Sequence, residues 1–331
     1  MIPRALLSQL TSCLFSKIHL RILCNSRNYS QCTLSPTELP PALNASFAES
    51  ETSKNDHLNS FLIRHVLENQ STASPSFSNL FEQLNSKANL QLPHILLYEN
   101  MGRKNVTNQA DLTPGIVTIA HVLPSIGKVI VASGFAIHDG GLIVTCAHTF
   151  YQAVQHLSSS SYDSKSKSIV ITHDGNLIGI AALESHLVRS DLVILRLQHE
   201  HKLPSLAVDP YPAPTTTSLL TYDFQTVSLS PTSTPTVSYS WKLAEVLCYR
   251  GPCGQEAQAG TYDELTSMMH SHPSSNGSSG GPIVNKETRS VVGIVRGSEV
   301  NYTNRKRIGF AIPSEHLYDA FRLPGMPDDL D

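Results

Sequence analysis

Gly277-Ser278-Ser279-Gly280-Gly281-Pro282 is the stretch on which the reading of this chain turns. A nucleophilic serine in acyl transfer has to stand exposed on a tight turn, with backbone N–H groups converging on the oxygen of the carbonyl it attacks. Glycine before the serine permits the backbone conformation that turns an amide inward. Glycines after it let substrate and a neighbouring layer approach closely. On this reading Ser279 is the candidate nucleophile, and the amides of Gly277 and Ser279 are the candidate oxyanion donors. Ser274, Ser275 and Ser278 lack the two following glycines.

Turns rich in Ser and Gly are common, so two further segments decide the matter. Gly141-Leu142-Ile143-Val144-Thr145-Cys146-Ala147-His148-Thr149-Phe150 is a β-type run ending in a small residue and a histidine. Arg189-Ser190-Asp191-Leu192-Val193-Ile194-Leu195-Arg196-Leu197 sets an aspartate at the mouth of an apolar strand. Alone, such a histidine reads as structural and such an aspartate as a turn residue. Asp163 and Asp174 lie nearer to His148 in sequence, but neither opens an apolar strand. Together the three occur in the order His148, Asp191, Ser279, at separations of 43 and 88 residues. That is the chymotrypsin order, distinct from those of subtilisin and the α/β-hydrolases.

With these three boxes the chain resembles the trypsin-like serine peptidases over about residues 115–322. Thr-Cys-Ala-His is similar to that family's histidine box, Ser-Asp-Leu-Val-Ile-Leu to its aspartate strand, and Gly-Ser-Ser-Gly-Gly-Pro to its nucleophile loop. The resemblance implies an all-β fold of two six-stranded antiparallel β-barrels, a His148-Asp191-Ser279 triad, polypeptide substrates, and no metal or organic cofactor. It also places Pro273 at the base of the primary specificity pocket, without the carboxylate that would select Lys or Arg. Arg296, Gly297 and Ser298 then form the edge that pairs with substrate, and small or medium apolar side chains are expected at the cleaved bond. Ser278 replaces the aspartate through which digestive trypsins are activated, and Thr149 replaces the cysteine after the histidine. Both features, with Ile308-Gly309-Phe310-Ala311-Ile312-Pro313-Ser314, resemble the HtrA/Deg branch. The 17 residues after Ser314 are too few for that branch's usual PDZ domain. A homo-oligomer is in keeping with that resemblance.

Short β-type runs separated by turns continue through the same region, including Ile116–Ala120, Lys128–Ile137, Ser168–Thr172, Val237–Leu247 and Ile308–Ile312. Gly140-Gly141 and Asp174-Gly175 fall between runs, as hairpin turns do. A first barrel is expected at about 113–208 and a second at about 215–322, within a protease domain of 113–324. A Pro/Thr/Ser-rich stretch, 209–236, lies at their junction. Ser314 to Arg322 reads as a short C-terminal helix with Ser314 as N-cap. Residues 30–112 form a polar extension, partly helical or disordered. It carries apolar stripes at Phe61, Leu62, Val66 and Leu67 and at Leu80, Phe81 and Leu84. A loosely attached segment is the expectation, with an oligomerisation arm as the alternative.

The N-terminus has a different composition. Residues 1–37 contain no Asp or Glu, but hold Arg4, Lys17, Arg21, Arg27 and six serines. This is the composition of a mitochondrial transit peptide. Arg27-Asn28-Tyr29-Ser30 is similar to a matrix processing site, giving a leader of 1–29. A secretory signal or a disordered basic tail are the alternatives. Of six cysteines, Cys13, Cys24 and Cys32 lie in or beside the leader, and Cys146, Cys248 and Cys253 in the body. This is no disulfide framework, although Cys248 and Cys253 could pair, and it lacks the spacing of a zinc site. A glycan on the Asn276 sequon would crowd Ser279, which disfavours secretion.

The whole 331-residue chain is 40% apolar, enough for a core, and 15% charged, with a net charge of -3 that offers no general attraction to nucleic acid. No run approaches the roughly 18 apolar residues of a membrane-spanning helix.

Overall fold

The computed structural model describes residues 45–68, 74–93, 95, 112–157, 165–198, 201–230, 234–301 and 306–322, with side chains in the first helix from His57 onward. The expected leader lies outside these residues. Ala48–Asp331 forms one compact unit.

Runs rich in Val, Ile and Thr become strands because β-branched side chains pack well on a pleated surface. The first six are β1 (Ile116–Leu123), β2 (Lys128–Ile137), β3 (Leu142–Cys146), β4 (Lys167–Thr172), β5 (Leu177–Leu187) and β6 (Leu192–Leu197). They close an antiparallel barrel in the order β1-β2-β3-β6-β5-β4. The second set is β7 (Ser218–Leu229), β8 (Pro235–Arg250), β9 (Glu256–Ala257), β10 (Ser267–His270), β11 (Pro282–Asn285), β12 (Val291–Asn301) and β13 (Lys306–Pro313). The ladder β10-β13-β12-β11-β7-β8 is closed by a β10–β8 pairing, and β9 hangs on the end of β8. The expected pair of six-stranded barrels is therefore present. The turns before β3 and β5 contain Gly140 and Gly175, whose φ angles of 83° and 84° lie in the left-handed region that glycine tolerates best.

All eight residues of β1 are buried, because the strand faces apolar material on both sides. Val117, Ile119 and Leu123 point into the first barrel's interior. Ile116, Ala120 and Val122 join a cluster shared with Tyr222, Phe224, Ile294 and Ile312 of the second barrel. That shared cluster is the seam between the barrels. The second barrel has its own interior around Leu219, Val246, Tyr249, Met268 and Ile283.

Three expectations change. First, the Pro/Thr/Ser-rich stretch contains β7, a 12-residue strand whose composition hides it. Its buried polar residues Thr221 and Asp223 are positions that only tertiary packing makes tolerable. Second, residues 57–68 and 74–92 are not loosely attached. Helix α1 (Ala45–Glu68) buries Leu58, Leu62 and Val66 at i, i+4 and i+8, while Leu67 of the expected stripe is 38% exposed. Helix α2 (Phe77–Ser86), N-capped by the Ser76 hydroxyl accepting from the Asn79 amide, buries Phe77, Leu80 and Leu84. These three join the first barrel's interior together with Phe150 of α3 (His148–His156). The amide of Leu92 donates to the Ala320 carbonyl and that of Arg322 to the Leu92 carbonyl, tying the extension to the C-terminal turn. Third, Ser314 is not an N-cap: Ser314–Ala320 is a 3-10 turn preceded by Pro313, and the Ser314 hydroxyl donates to the Asp209 carbonyl.

Among the described residues His121 and His270 are fully enclosed, and burial disfavours their charged form. His121 lies between Phe77 and Phe150 and pairs with the hydroxyls of Ser168 and Thr149; burial lowers its pKa to about 3. His270 packs where a side chain at Gly309 would otherwise stand, and among the described residues neither of its ring nitrogens has a hydrogen-bond partner. Burial, then the neighbouring His272, lowers its pKa to about 4.

Two outcomes follow from this packing. Phe77→Ala removes a fully buried ring that three elements share, and should cost about 3–5 kcal/mol in denaturant unfolding; a loss below about 1 kcal/mol means that α2 is only an appendage. The unfolded chain protonates His270 near pH 6.5 and the folded one only near pH 4, so folding stability falls as pH drops through that window. His270 alone accounts for about 2–3 kcal/mol between pH 7.5 and 4.5. His270→Leu should lose less stability than the parent on acidification by about that amount, and equal losses would refute the attribution.

Candidate active site

β3 delivers His148 and β6 delivers Asp191 from neighbouring positions of one barrel. Cys146 pairs with Leu192 in the ladder, so the residues just beyond each strand end meet. Asp191 has φ of 60°, a left-handed conformation that Asp adopts more readily than most residues. The Ala147 amide bonds its carbonyl, and its carboxylate gathers three donors. The His148 amide donates to Oδ1 at 2.8 Å, satisfying a free N–H in the first turn of α3. His148 Nδ1 meets Oδ2 at 2.7 Å. Arg296 Nε donates to the same oxygen at 3.1 Å. A carboxylate only accepts, so the imidazole proton sits on Nδ1 and Nε2 is left as an acceptor. Among the described residues Nε2 has no partner.

Ser279 comes from the other barrel, on the turn before β11. Gly277 and Gly280 both have φ of 88°. A Cβ at 280 would fall on the Ser133 carbonyl and the Thr145 side chain of the first barrel, and one at 277 on the Phe224 ring. The loop is stitched across the seam: the Ser133 amide donates to the Ser279 carbonyl at 2.8 Å and its hydroxyl to the Gly277 carbonyl at 2.7 Å. Buried Ser278 accepts from the Phe224 amide at 2.9 Å, anchoring the loop to β7. The amides of Gly277 and Ser279 have no internal acceptor among the described residues. The Ser279 hydroxyl donates to the Arg296 carbonyl at 3.3 Å, and no hydrogen bond joins it to His148.

Arg296 is thus the hinge of the cluster. It is the bulged residue of β12, where the register against β13 shifts between Val295 and Gly297. Its carbonyl receives Ser279 and its guanidinium lies on Asp191 while stacking over Phe310 at 5.2 Å. Arg296, expected as part of the edge that pairs with the substrate backbone, has its side chain on the Asp191 carboxylate and is not among the cleft-lining residues, while Gly297 and Ser298 are.

The cleft itself has a volume of about 860 Å³. Gly297, Ser298, Gly277 and Ser279 line it as expected, with Ser274, Ser275 and Asn276 of the loop, Thr149 of α3 and Phe224–Val227 of β7. Pro273 does not line it; the wall begins at the following residue. The sequence reading missed Leu58 and Asn59 of α1, which form part of the wall, and Arg307 of β13. The apolar stripe of α1 was legible, but nothing local showed which groove it borders.

Cys146, fully buried, places its thiol with His148 and Asp191, their donor atoms all within 4.8 Å of one another. The thiol donates to the Val295 carbonyl, and burial raises its pKa well above the ordinary value. A cation there would have to displace that proton and break the Arg296–Asp191 pair. Cys248 and Cys253 are free thiols.

Residues 132–294 match the family model described as a trypsin-like peptidase domain, which takes in His148, Asp191 and Ser279. The chain carries a trypsin-like peptidase domain. Solved structures similar to it include the active form of the Rv3671c protease from M. tuberculosis, at 18% identity over 68% of this chain and 88% of that one, with a TM-score of 0.43. Another is the MamO protease domain from Magnetospirillum magneticum, at 17% identity over 64% of this chain and 98% of that one, with a TM-score of 0.42. No curated protein matches the chain significantly. Among the described residues no helix is long and apolar enough to cross a membrane.

The seam makes Gly280 the least replaceable residue of the loop. Gly280→Ala adds left-handed strain and a clash with backbone of the opposite barrel, and should cost about 3 kcal/mol or more. Thermal unfolding measures it; an unchanged melting temperature would show that the loop is not pressed between the barrels.

Proposed function

We propose that this chain is an active serine endopeptidase of HtrA/Deg-like type. Ser279 Oγ attacks the scissile carbonyl, and His148 Nε2 takes its proton and passes it to the leaving amine. Water then hydrolyses the acyl-enzyme, with the same imidazole as base. Asp191 holds the imidazole tautomer and stabilises the imidazolium. The amides of Gly277 and Ser279 receive the developing oxyanion, each such donor being worth about 10²–10³ in rate. The observation that carries this reading is the set of contacts that ties His148 to Asp191, Asp191 to the Arg296 guanidinium and the Arg296 carbonyl to the Ser279 hydroxyl, with Ser279 itself in the cleft wall. In this state the serine hydroxyl points at the Arg296 carbonyl, so rotation about its Cα–Cβ bond is the step that turns it toward the base.

Substrates on this reading are polypeptides cut after small or medium apolar side chains, since no carboxylate stands among the described residues of the cleft to select Lys or Arg. Protein quality control or processing is the proposed role. The proposed address is the mitochondrion, with residues 1–29 removed. Secretion is the alternative, and a mature terminus other than Ser30 together with sugar on Asn276 would favour it.

The turned-away serine hydroxyl favours a second reading, in which the fold is a silent peptidase retained as a peptide-binding module. A fluorophosphonate probe separates the two. Covalent labelling of the folded protein, lost in Ser279→Ala along with activity by a factor on the order of 10⁴ or more, supports the enzyme. Folded protein that stays unlabelled supports the binding module.

A further inference from the structure

β11 covers β12 only from Val291 to Ile294. Beyond Val295, β12 has β13 on one side and the cleft on the other, with Gly297 and Ser298 in the cleft wall. An unpaired strand edge is the ordinary docking rail for an extended peptide.

The wall of this cleft is electrostatically one-sided. Its described residues are hydroxyls, amides, apolar side chains and glycines, with one charged group, Arg307, and no carboxylate. Arg307 lies opposite Val300 in the β12–β13 ladder and is aimed back along β12 by a hydrogen bond of 2.6 Å from its guanidinium to the Ser298 hydroxyl. Among the described residues it forms no ion pair. Arg296, by contrast, is neutralised by Asp191. One oriented, uncompensated guanidinium therefore faces whatever peptide lies on the rail.

Register says which substrate residue it meets. The Ser279 hydroxyl lies on the Arg296 carbonyl, so the residue that donates the scissile carbonyl sits beside position 296. A paired strand advances about 3.3 Å per residue, in step with its partner. The second residue before the break then lies beside Gly297, and the third beside Ser298 and the guanidinium it holds. We propose that Arg307 is a specificity-determining residue that selects an acidic side chain at the third position before the cleaved bond. The planar fork of guanidinium donors suits a carboxylate, and Ser298 holds that fork in place. This deepens the endopeptidase reading and rests on it for the hydrolytic step. It leaves the preference at the cleaved bond itself apolar.

The test pairs hydrolysis with binding, using fluorogenic peptides that differ only by Glu or Gln at the third position before an alanine. Hydrolysis should favour Glu at least about fivefold in kcat/KM, the size expected of a partly exposed charge pair. That ratio should shrink as salt screens the pair. Arg307→Gln should bring it to about one, and Arg307→Glu should invert it toward a Lys-bearing peptide. Ser279→Ala should bind the Glu peptide more tightly than the Gln peptide by a similar factor. Probe-labelled parent protein with equal rates for both peptides, or an acidic preference that survives Arg307→Gln, overturns the proposal while leaving the peptidase intact. Unlabelled protein that still binds the Glu peptide preferentially overturns the hydrolytic reading and upholds Arg307.

Discussion

The contact on which this molecule depends is the docking of the 277–281 turn against Ser133 and Thr145 of the first barrel. Ser133 gives both its amide and its hydroxyl to carbonyls of that turn, and Gly280 fits there only because it lacks a side chain. Hydrogen bonds across a buried seam are costly to leave unmade, so the barrels favour the relative position in which they are satisfied. That position brings Ser279 from one barrel beside the ends of β3 and β6 in the other.

Arg296 couples this seam to the carboxylate. A carboxylate buried to the degree of Asp191 needs hydrogen-bond donors, and it has the His148 ring, the Arg296 guanidinium and a helix amide. Because the Arg296 carbonyl also holds the Ser279 hydroxyl, hydroxyl and carboxylate report on the geometry of a single β-bulge. Bulges recur beside functional sites since they re-aim one side chain without ending the strand. Here the bulge sends the guanidinium inward and frees the next two residues for the cleft.

The extension that precedes the barrels is structural. α2 supplies Phe77 to the first barrel's interior, where it meets Phe150 of α3 from the barrel's own stretch of chain, and α1 lays Leu58 and Asn59 on the rim of the cleft. Such helices extend a groove that two barrels alone would leave shallower on that side. They also explain how His121 can stay buried: it is enclosed by aromatic rings and answered by two hydroxyls.

Much of this was legible in the sequence. The order and spacing of His148, Asp191 and Ser279, the glycines around the last, the boundaries of β2 and β6 and the hairpin glycines are local patterns, set by backbone sterics and by the two-residue period of a strand. β7 escaped because its serines and threonines read as linker, and β5 because Gly179, Ala181, Ala182 and Glu184 have weak strand preference. The Arg296–Asp191 pair, the absence of Pro273 from the cleft wall and the approach of α1 and Arg307 to the cleft were decided by tertiary structure alone. Each depends on how strands far apart in the chain fall into register and on which way a bulge turns. Those choices are settled by packing two barrels against each other, a constraint that no short window of residues contains.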